Sequence, residues 1–395
     1  MSRGRTLCVA LWLALPAMAV AQTWSVRASG TGQPLNDVVF SSASTAAAVG
    51  GAGNNGVITV SGDGGSTWAL NAYAPPGTRD LNAVFSSAAS VVAVGNDGPG
   101  GNEAVIAVSH DRGATWVAAT AATSDPSNML DGVFSGASTA IAVGNGGFEV
   151  QISSSWGTAW VNAHDNLTVP VGGLNAVAAG AANLVAVGDN GALSYSTSYG
   201  AVWSDATSAG TVAAQTMYDV VSVTASTFIA VGQGGTVIRT TDGGDRWQNP
   251  YTAGTQLNAV DAAGTTIIAV GNGGTIARSI NSGASWATPA SGTGQNLSDV
   301  LFLTSSQVLA AGTNGSIIGS SDAGVTWSSQ TSNTANDLYV LAYNGAGRAV
   351  AVGENGTVVL SSDQIGPAQP IPFRSKWLLV LLLVGYGAYA LHRIR

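Results

Sequence analysis

Residues 232–247 read Gly-Gln-Gly-Gly-Thr-Val-Ile-Arg-Thr-Thr-Asp-Gly-Gly-Asp-Arg-Trp. A glycine-rich turn leads into a short apolar run, and the run ends in a box of the form Ser/Thr-x-Asp-x-Gly-x-x-Trp. The same order recurs along the chain. Clear copies of the box are Ser61–Trp68, Ser109–Trp116, Thr240–Trp247 and Ser320–Trp327. Ser279–Trp286 carries Asn281 at the acidic position, and Ser153–Trp160 and Ser196–Trp203 carry Ser155 and Ser198 there. Successive box starts lie 48, 44, 43, 44, 39 and 41 residues apart, and 41 more lead to Ser361.

Upstream of each box the pattern is just as regular. A Leu-Asn-x-Val-like start recurs at Leu35, Leu81, Leu130, Leu174, Met217, Leu257, Leu297 and Leu338. About ten residues later an Ala-Val-Gly-like run ends at Gly50, Gly95, Gly144, Gly188, Gly232, Gly271, Gly312 and Gly353. Runs such as Val91–Val94 and Ile267–Val270 suit strands buried on both faces. Asn55-Gly56, Asn190-Gly191, Asn314-Gly315 and Asn355-Gly356 supply the positive φ of tight hairpins. Four short strands per period of 40–45 residues indicate an all-β propeller. The repeat count predicts eight four-stranded blades over residues 22–366, or seven if one unit is irregular. The last box is cut short: Ser361-Ser362-Asp363 meets no Trp, and the missing piece stands at the other end as Thr23-Trp24. Trp24 and Asp363 are therefore expected to meet, with the N-terminal strand closing the ring.

Composition agrees with an architecture of this kind. The chain has 395 residues, 53 of them Gly, and only 9% are charged. Its net charge is −8, but six of the 13 basic residues sit at the two ends. The middle holds seven basic residues against 21 acidic ones, which makes nucleic acid an unfavourable partner. Cys8 is the one cysteine, so the body has neither a disulfide nor a thiol nucleophile.

The ends carry addresses. Arg3 and Arg5, the apolar run Leu7 to Val20 and Ala19-Val20-Ala21 read as a signal peptide over 1–21. At the other end, a linker over 367–376 precedes an apolar run from Trp377 and a basic close, expected as a transmembrane helix and tail over 377–395. Ile371, Pro372, Ser375 and Trp377 resemble the IPTL-CTERM sorting tail of Gram-negative bacteria, with Phe373 and Arg374 departing from its pattern. That resemblance implies processing by an exosortase-like membrane enzyme. It also implies a body held at the inner membrane, facing the periplasm, or displayed on the cell surface.

The repeated box resembles the Asp box, or BNR repeat. Its side chains serve the turn itself: Ser and Asp accept backbone N–H groups, Gly takes the special backbone conformation, and Trp covers the hairpin. Ser61, Asp63, Gly65, Trp68, Ser109, Asp111, Gly113, Trp116, Asp242, Gly244, Trp247, Asn281, Trp286, Ser320, Asp322, Gly324 and Trp327 are therefore expected to be structural. Boxes combined with Leu-Asn-x-Val and Val-Gly-x-x-Gly resemble the photosystem II assembly-factor-like propellers of the Ycf48/Hcf136 type, over nearly all of 22–366. This implies binding of a membrane-protein partner without catalysis. The family's Arg-rich surface patch has no counterpart among seven scattered arginines.

Sialidases share such boxes, but they need a cluster of three arginines, a Tyr nucleophile with its Glu, and an acid. Their usual Arg-Ile-Pro signature is absent here. Two body histidines, His110 and His164, leave no zinc cluster, and no nucleophile elbow is present. No metal or cofactor is expected.

Binding is expected on the face opposite the boxes, where the variable loops gather. Asn36, Asn82, Asp131, Asn175, Tyr218, Asn258 and Tyr339 would ring its channel mouth, either for a ligand or as strand caps. The sequence thus describes an exported, monomeric, non-catalytic propeller. Its partner is a protein or an extracellular polysaccharide. The alternatives are a periplasmic assembly factor for a membrane complex and a sialidase-like hydrolase.

Overall fold

A computed structural model describes residues 23–53, 55–73, 80–87, 89–96, 105–119, 128–136, 138–145, 149–153, 157–162, 173–208 and 215–362. Short antiparallel strands form eight sheets, arranged around an axis in chain order. The first strands of the sheets are Leu35–Phe40, Leu81–Ser87, Asn128–Phe134, Leu174–Gly180, Met217–Ser222, Leu257–Ala263, Leu297–Phe302 and Leu338–Tyr343. Each packs beside the next and the last packs beside the first, so they line the centre. Second strands such as Ala46–Gly50 and Ala349–Gly353 are buried along their whole length between neighbouring sheets. One core cluster joins Val185 and Leu193 to Phe228 and Trp247, and another joins Val350 and Leu360 to Leu35 and Trp68. Continuous apolar runs are needed because both faces of each sheet are covered.

Seven of the sheets are each built on one continuous stretch of chain and are numbered here as blades 1 to 7 from Leu35 onward. The eighth is composite. Leu338–Tyr343, Ala349–Gly353 and Val358–Ser361 come from the C-terminal side, and Trp24–Arg27 adds the outer strand with Trp24 opposite Ser361. Ser362 N–H donates to Thr23 O at 2.7 Å, so both chain ends leave together. Trp24 is 2% exposed and packs on Leu338, Leu341 and Ile317. Its Nε1 donates to Gln330 Oε1 of blade 7 at 2.7 Å. Asp363 lies outside the described residues.

The expectation of eight four-stranded blades with a transmembrane helix is therefore corrected. The ring consists of seven continuous blades and one composite closing sheet, and the blades are not uniform. Blade 5 has a fifth strand, Thr207–Ser208, running parallel to Arg246–Thr252. Blade 6 has three strands, and its fourth is reduced to a single bridge between Arg278 and Ala287. Proline causes the reduction. In blades 1, 2 and 4 the third residue after the box Trp (Asn71, Ala119, Ala206) donates its N–H to the third strand. Pro289 occupies that place in blade 6 and has no N–H to give. Helical structure among the described residues is limited to single 3-10 turns, and none is long and apolar enough to cross a membrane. Residues 377–395, like the signal segment 1–21 and the sorting residues Ile371, Pro372, Ser375 and Trp377, lie outside the described residues.

Candidate binding face at the channel mouth

The box turns stand on one face of the ring and prove to be joints between sheets. In the turn Ser61–Trp68, Ser61 Oγ accepts the Gly65 N–H at 2.9 Å and donates to Asp63 Oδ1 at 2.9 Å. Asp63 also accepts Thr67 N–H at 2.8 Å and the Thr67 hydroxyl at 2.6 Å. Trp68 Nε1 donates back to Gly65 O at 2.9 Å. Turns 109–116 and 320–327 repeat this scheme, turn 240–247 repeats it with Thr240 first and without the hydroxyl bond, since Arg246 stands there, and in 279–286 Asn281 Oδ1 takes the Ser285 N–H at 2.9 Å. Each turn glycine has positive φ and lies over a second-strand side chain of the preceding sheet: Gly65 over Val350, Gly244 over Val185, Gly324 over Ile268. A side chain at those positions would meet both strain and a clash.

For Asp63, Asp111, Asp242 and Asp322, burial is the largest single influence and opposes ionisation. The hydrogen bonds around each carboxylate together outweigh it and hold the carboxyl below its ordinary range. A group whose pKa is lowered by folding adds stability above its unfolded value and loses it as the pH falls through the folded one. The melting temperature is therefore expected to stay level above pH ~4, the ordinary carboxylate value, and to fall below it. Asn281→Asp should steepen that fall. A melting curve series from pH 2 to 7 with no difference between the two proteins would contradict this account.

The opposite face carries the starts of the first strands, the turns between second and third strands, and the loops between sheets. Every first strand has a one-residue bulge there. Leu35 pairs Gly50 and Asp37 pairs Val49, which leaves Asn36 between them. The bulged residues are Asn36, Asn82, Leu130, Asn175, Tyr218, Asn258, Ser298 and Tyr339. In blade 3 it is Met129 that pairs Gly144, so Leu130 holds the mouth position and Asp131 belongs one residue further in. The expectation for Asp131 is corrected by that one step of register.

Two sets of side chains staple the sheets along this ring. Asn36, Asn82, Asn175 and Asn258 donate Nδ2 to Leu81, Met129, Met217 and Leu297 carbonyls of the next blade, at 2.8–3.0 Å. These four amides are thus part of the framework. The second set is Asp37, Asp131, Asp219 and Asp299, each immediately after the bulged residue of its strand. Asp37 Oδ1 takes its own neighbour's N–H, Val38, at 2.7 Å, and Oδ2 takes Val84 of the next blade at 2.8 Å. Asp131 does the same for Gly132 and Val177, Asp219 for Val220 and Val260, and Asp299 for Val300 and Leu341. Four carboxylates thereby satisfy one edge N–H in each of the eight sheets, two apiece. The intervening sheets carry Ala83, Ala176, Ala259 and Val340 at the same position. An alternation is visible in the sequence: Asp at 37, 131, 219 and 299, apolar at 83, 176, 259 and 340.

One joint carries neither staple. Between the closing sheet and blade 1, Tyr339 and Val340 replace the Asn and Asp. That joint is held from the box face instead, by Asn344 Nδ2 to Ala43 O at 2.9 Å and Arg348 Nη1 to Ser66 Oγ at 2.7 Å. Arg239 and Arg278 act similarly on Ser282 O and Ala323 O, at 2.8 and 2.7 Å. The three arginines therefore serve three separate joints and do not converge on a substrate carboxylate. Among the described residues no three His, Cys, Asp or Glu side chains meet as metal ligands would. His164, and most of the variable loops 73–80, 96–103, 118–128 and 161–173, lie outside the described residues.

Among the described residues, grooves open on the mouth face at blades 6 and 7. The larger, about 600 Å³, is lined by Gln295, Asn314, Ser316, Thr331, Asn333 and Thr334 together with nearby backbone of blade 7. The second, about 500 Å³, lies in blade 6 between Thr255, Thr275 and the Pro289–Thr293 segment. Their linings combine hydroxyls and small apolar side chains such as Ile276, Pro289 and Ile317, with side-chain amides in the larger groove and no aromatic ring or charge in either.

Comparison with solved structures places this ring among β-propellers. YCF48 bound to D1 peptide superposes with TM-score 0.61 at 16% identity, covering 86% of this chain and 97% of that one. YCF48 from Cyanidioschyzon merolae gives 0.58 at 17% identity, with 86% and 98% covered. Sqt1 from Chaetomium thermophilum, bound to the N-terminus of ribosomal protein L10, gives 0.62 at 13% identity, with 86% and 98% covered. At such identities the shared property is the propeller fold. No protein-family model and no curated protein matches the chain.

Proposed function

We propose that this chain is an exported, membrane-tethered or surface-displayed propeller that binds a polypeptide partner through its channel-mouth face and catalyses nothing. One observation carries the reading: the mouth face holds uncharged grooves that mix hydroxyls and amides with small apolar side chains, suited to the peptide groups and side chains of an extended chain. A polysaccharide site would want aromatic platforms for sugar rings, and neither groove has one. The neighbours bound to the D1 peptide and to the L10 N-terminus are propellers that hold polypeptide segments, which supports the same kind of partner here. Both chain ends leave on the box face, as the Ser362–Thr23 contact indicates. A tether through residues 367–395 would then direct the box face to the membrane and leave the mouth face free.

The test combines location with contact mapping. Cells would carry the full chain, or the chain lacking 371–395, with a photo-crosslinking residue at Tyr218 or, on the opposite face, at Asp111. Membrane attachment lost on truncation, with adducts to a polypeptide from position 218 and few from 111, supports the proposal. Equal adducts from both faces, or hydrolysis of sialosides by the purified protein, would overturn it.

A further inference from the structure

Tyr339 occupies the position where blades 1, 2, 4 and 6 carry a stapling asparagine, and its joint is held from the far side by Asn344 and Arg348. A bulky aromatic at a repeat position relieved of its structural duty is where a specific function is expected. Tyr339 is half-buried at the mouth, so part of its ring is open to a ligand. Asp337 and Glu354 stand beside it. Glu354 N–H donates to Asp337 O at 2.9 Å, and Asp337 N–H to Glu354 Oε2 at 3.4 Å. Burial first, and then the charges of Glu354 and Asp337, push the Tyr339 phenol up, in keeping with their closeness. Asp337 Oδ1 also accepts the Asn314 N–H at 2.8 Å, and Asn314 lines the larger groove. The carboxylate pair therefore adjoins that groove without lining it.

The basic residues of the ring are sorted by face, while acidic ones lie on both. Arg112 and Arg246 lie in box turns, and Arg239, Arg278 and Arg348 bond to box turns. Asp80, Asp189, Asp337 and Glu354 lie on the mouth face, where Arg27 at the outer rim is the one described basic residue. A partner seated on this face meets negative potential with an aromatic ring at its edge.

Resting on the polypeptide-binding reading, we propose that Tyr339, flanked by Asp337 and Glu354, takes a Lys or Arg side chain of the partner while the partner's backbone lies in the blade 7 groove. A guanidinium or ammonium placed over the phenol face gains cation–π attraction, and the carboxylates supply charge-assisted hydrogen bonds.

The experiment is calorimetric titration of the full chain with three Gly/Ser-rich dodecapeptides carrying four Arg, four Glu or no charge. The Arg peptide should bind, the neutral one at least fivefold more weakly and the Glu peptide not at all. Glu354→Gln and Tyr339→Asn should each weaken the Arg peptide at least fivefold. Asp322→Asn removes the same charge from the opposite face, at a position where Asn281 shows that Asn fits the turn, and should change binding less than twofold. Tyr339→Asn should also raise the melting temperature by adding an amide staple toward blade 1, so lost binding with kept stability separates recognition from folding. Equal weakening by Glu354→Gln and Asp322→Asn would reduce the effect to bulk charge and overturn the proposal. Neutral and Arg peptides bound alike, both weakened by Tyr339→Asn, would keep the polypeptide reading and sink the basic side chain. If none of the three peptides binds, both fall.

Discussion

Trp24→Ala is expected to remove about 3–5 kcal/mol of unfolding free energy, the usual loss for a buried aromatic truncated to alanine. Trp24 is 2% exposed and sits in the core between blade 7 and the closing sheet. Its strand also completes the one sheet shared by both chain ends, through the Trp24–Arg27 pairing with Val358–Ser361. The loss therefore falls on ring closure as well as on local packing. Trp24→Phe keeps most of the volume but leaves Gln330 Oε1 without the indole N–H, and should cost about 1–2 kcal/mol. Urea unfolding followed by circular dichroism measures both. An unchanged midpoint for Trp24→Ala would mean that the N-terminal strand does not close the ring in solution.

The second large effect is expected at Asp299, which is 3% exposed. Asp299→Ala strips the Val300 and Leu341 N–H groups of their acceptor. Each buried donor left unsatisfied costs about 1–3 kcal/mol, so the total should reach about 2–6 kcal/mol. The disturbance should cross between two sheets. Hydrogen exchange should quicken at Val300 in blade 7 and at Leu341 in the closing sheet, though 41 residues separate them in the chain. Faster exchange at Val300 alone would remove the bridging role. A substitution such as Asp63→Asn makes a useful contrast, because that carboxylate serves an exposed turn and Asn281 already does its work elsewhere.

The Asp residues show how far the sequence can be read. Asp63 and Asp299 are both acids at repeated positions of an apolar framework. The role of Asp63 is legible because its partners are at most four residues away, in the same turn. The role of Asp299 is not legible, because one of its two partners lies in the next sheet. The same applies to Asn36, which looks equally fit for a ligand or a strand cap until the Leu81 carbonyl is placed beside it. Blade 3 adds a case of register: Leu130 resembles the other first-strand starts, yet Met129 takes that place because it opposes Gly144. Pro289 was equally visible, but what it removes is a rung whose existence depends on how the strands pair.

By itself the sequence determined what is local and periodic. It set the all-β repeat of about four strands, the turns that need Asn and Gly at positive φ, the box hydrogen bonds, and the complementarity of Trp24 with a unit lacking its Trp. These follow from backbone sterics and from contacts within one hairpin. Tertiary structure alone decided which side chains belong to the framework and which remain free for a partner. Stapling by Asn36, Asn82, Asn175 and Asn258, the bridging carboxylates, and the release of Tyr339 all depend on the distance between neighbouring sheets. That distance is set by the packing of their apolar faces, and no single repeat unit contains it.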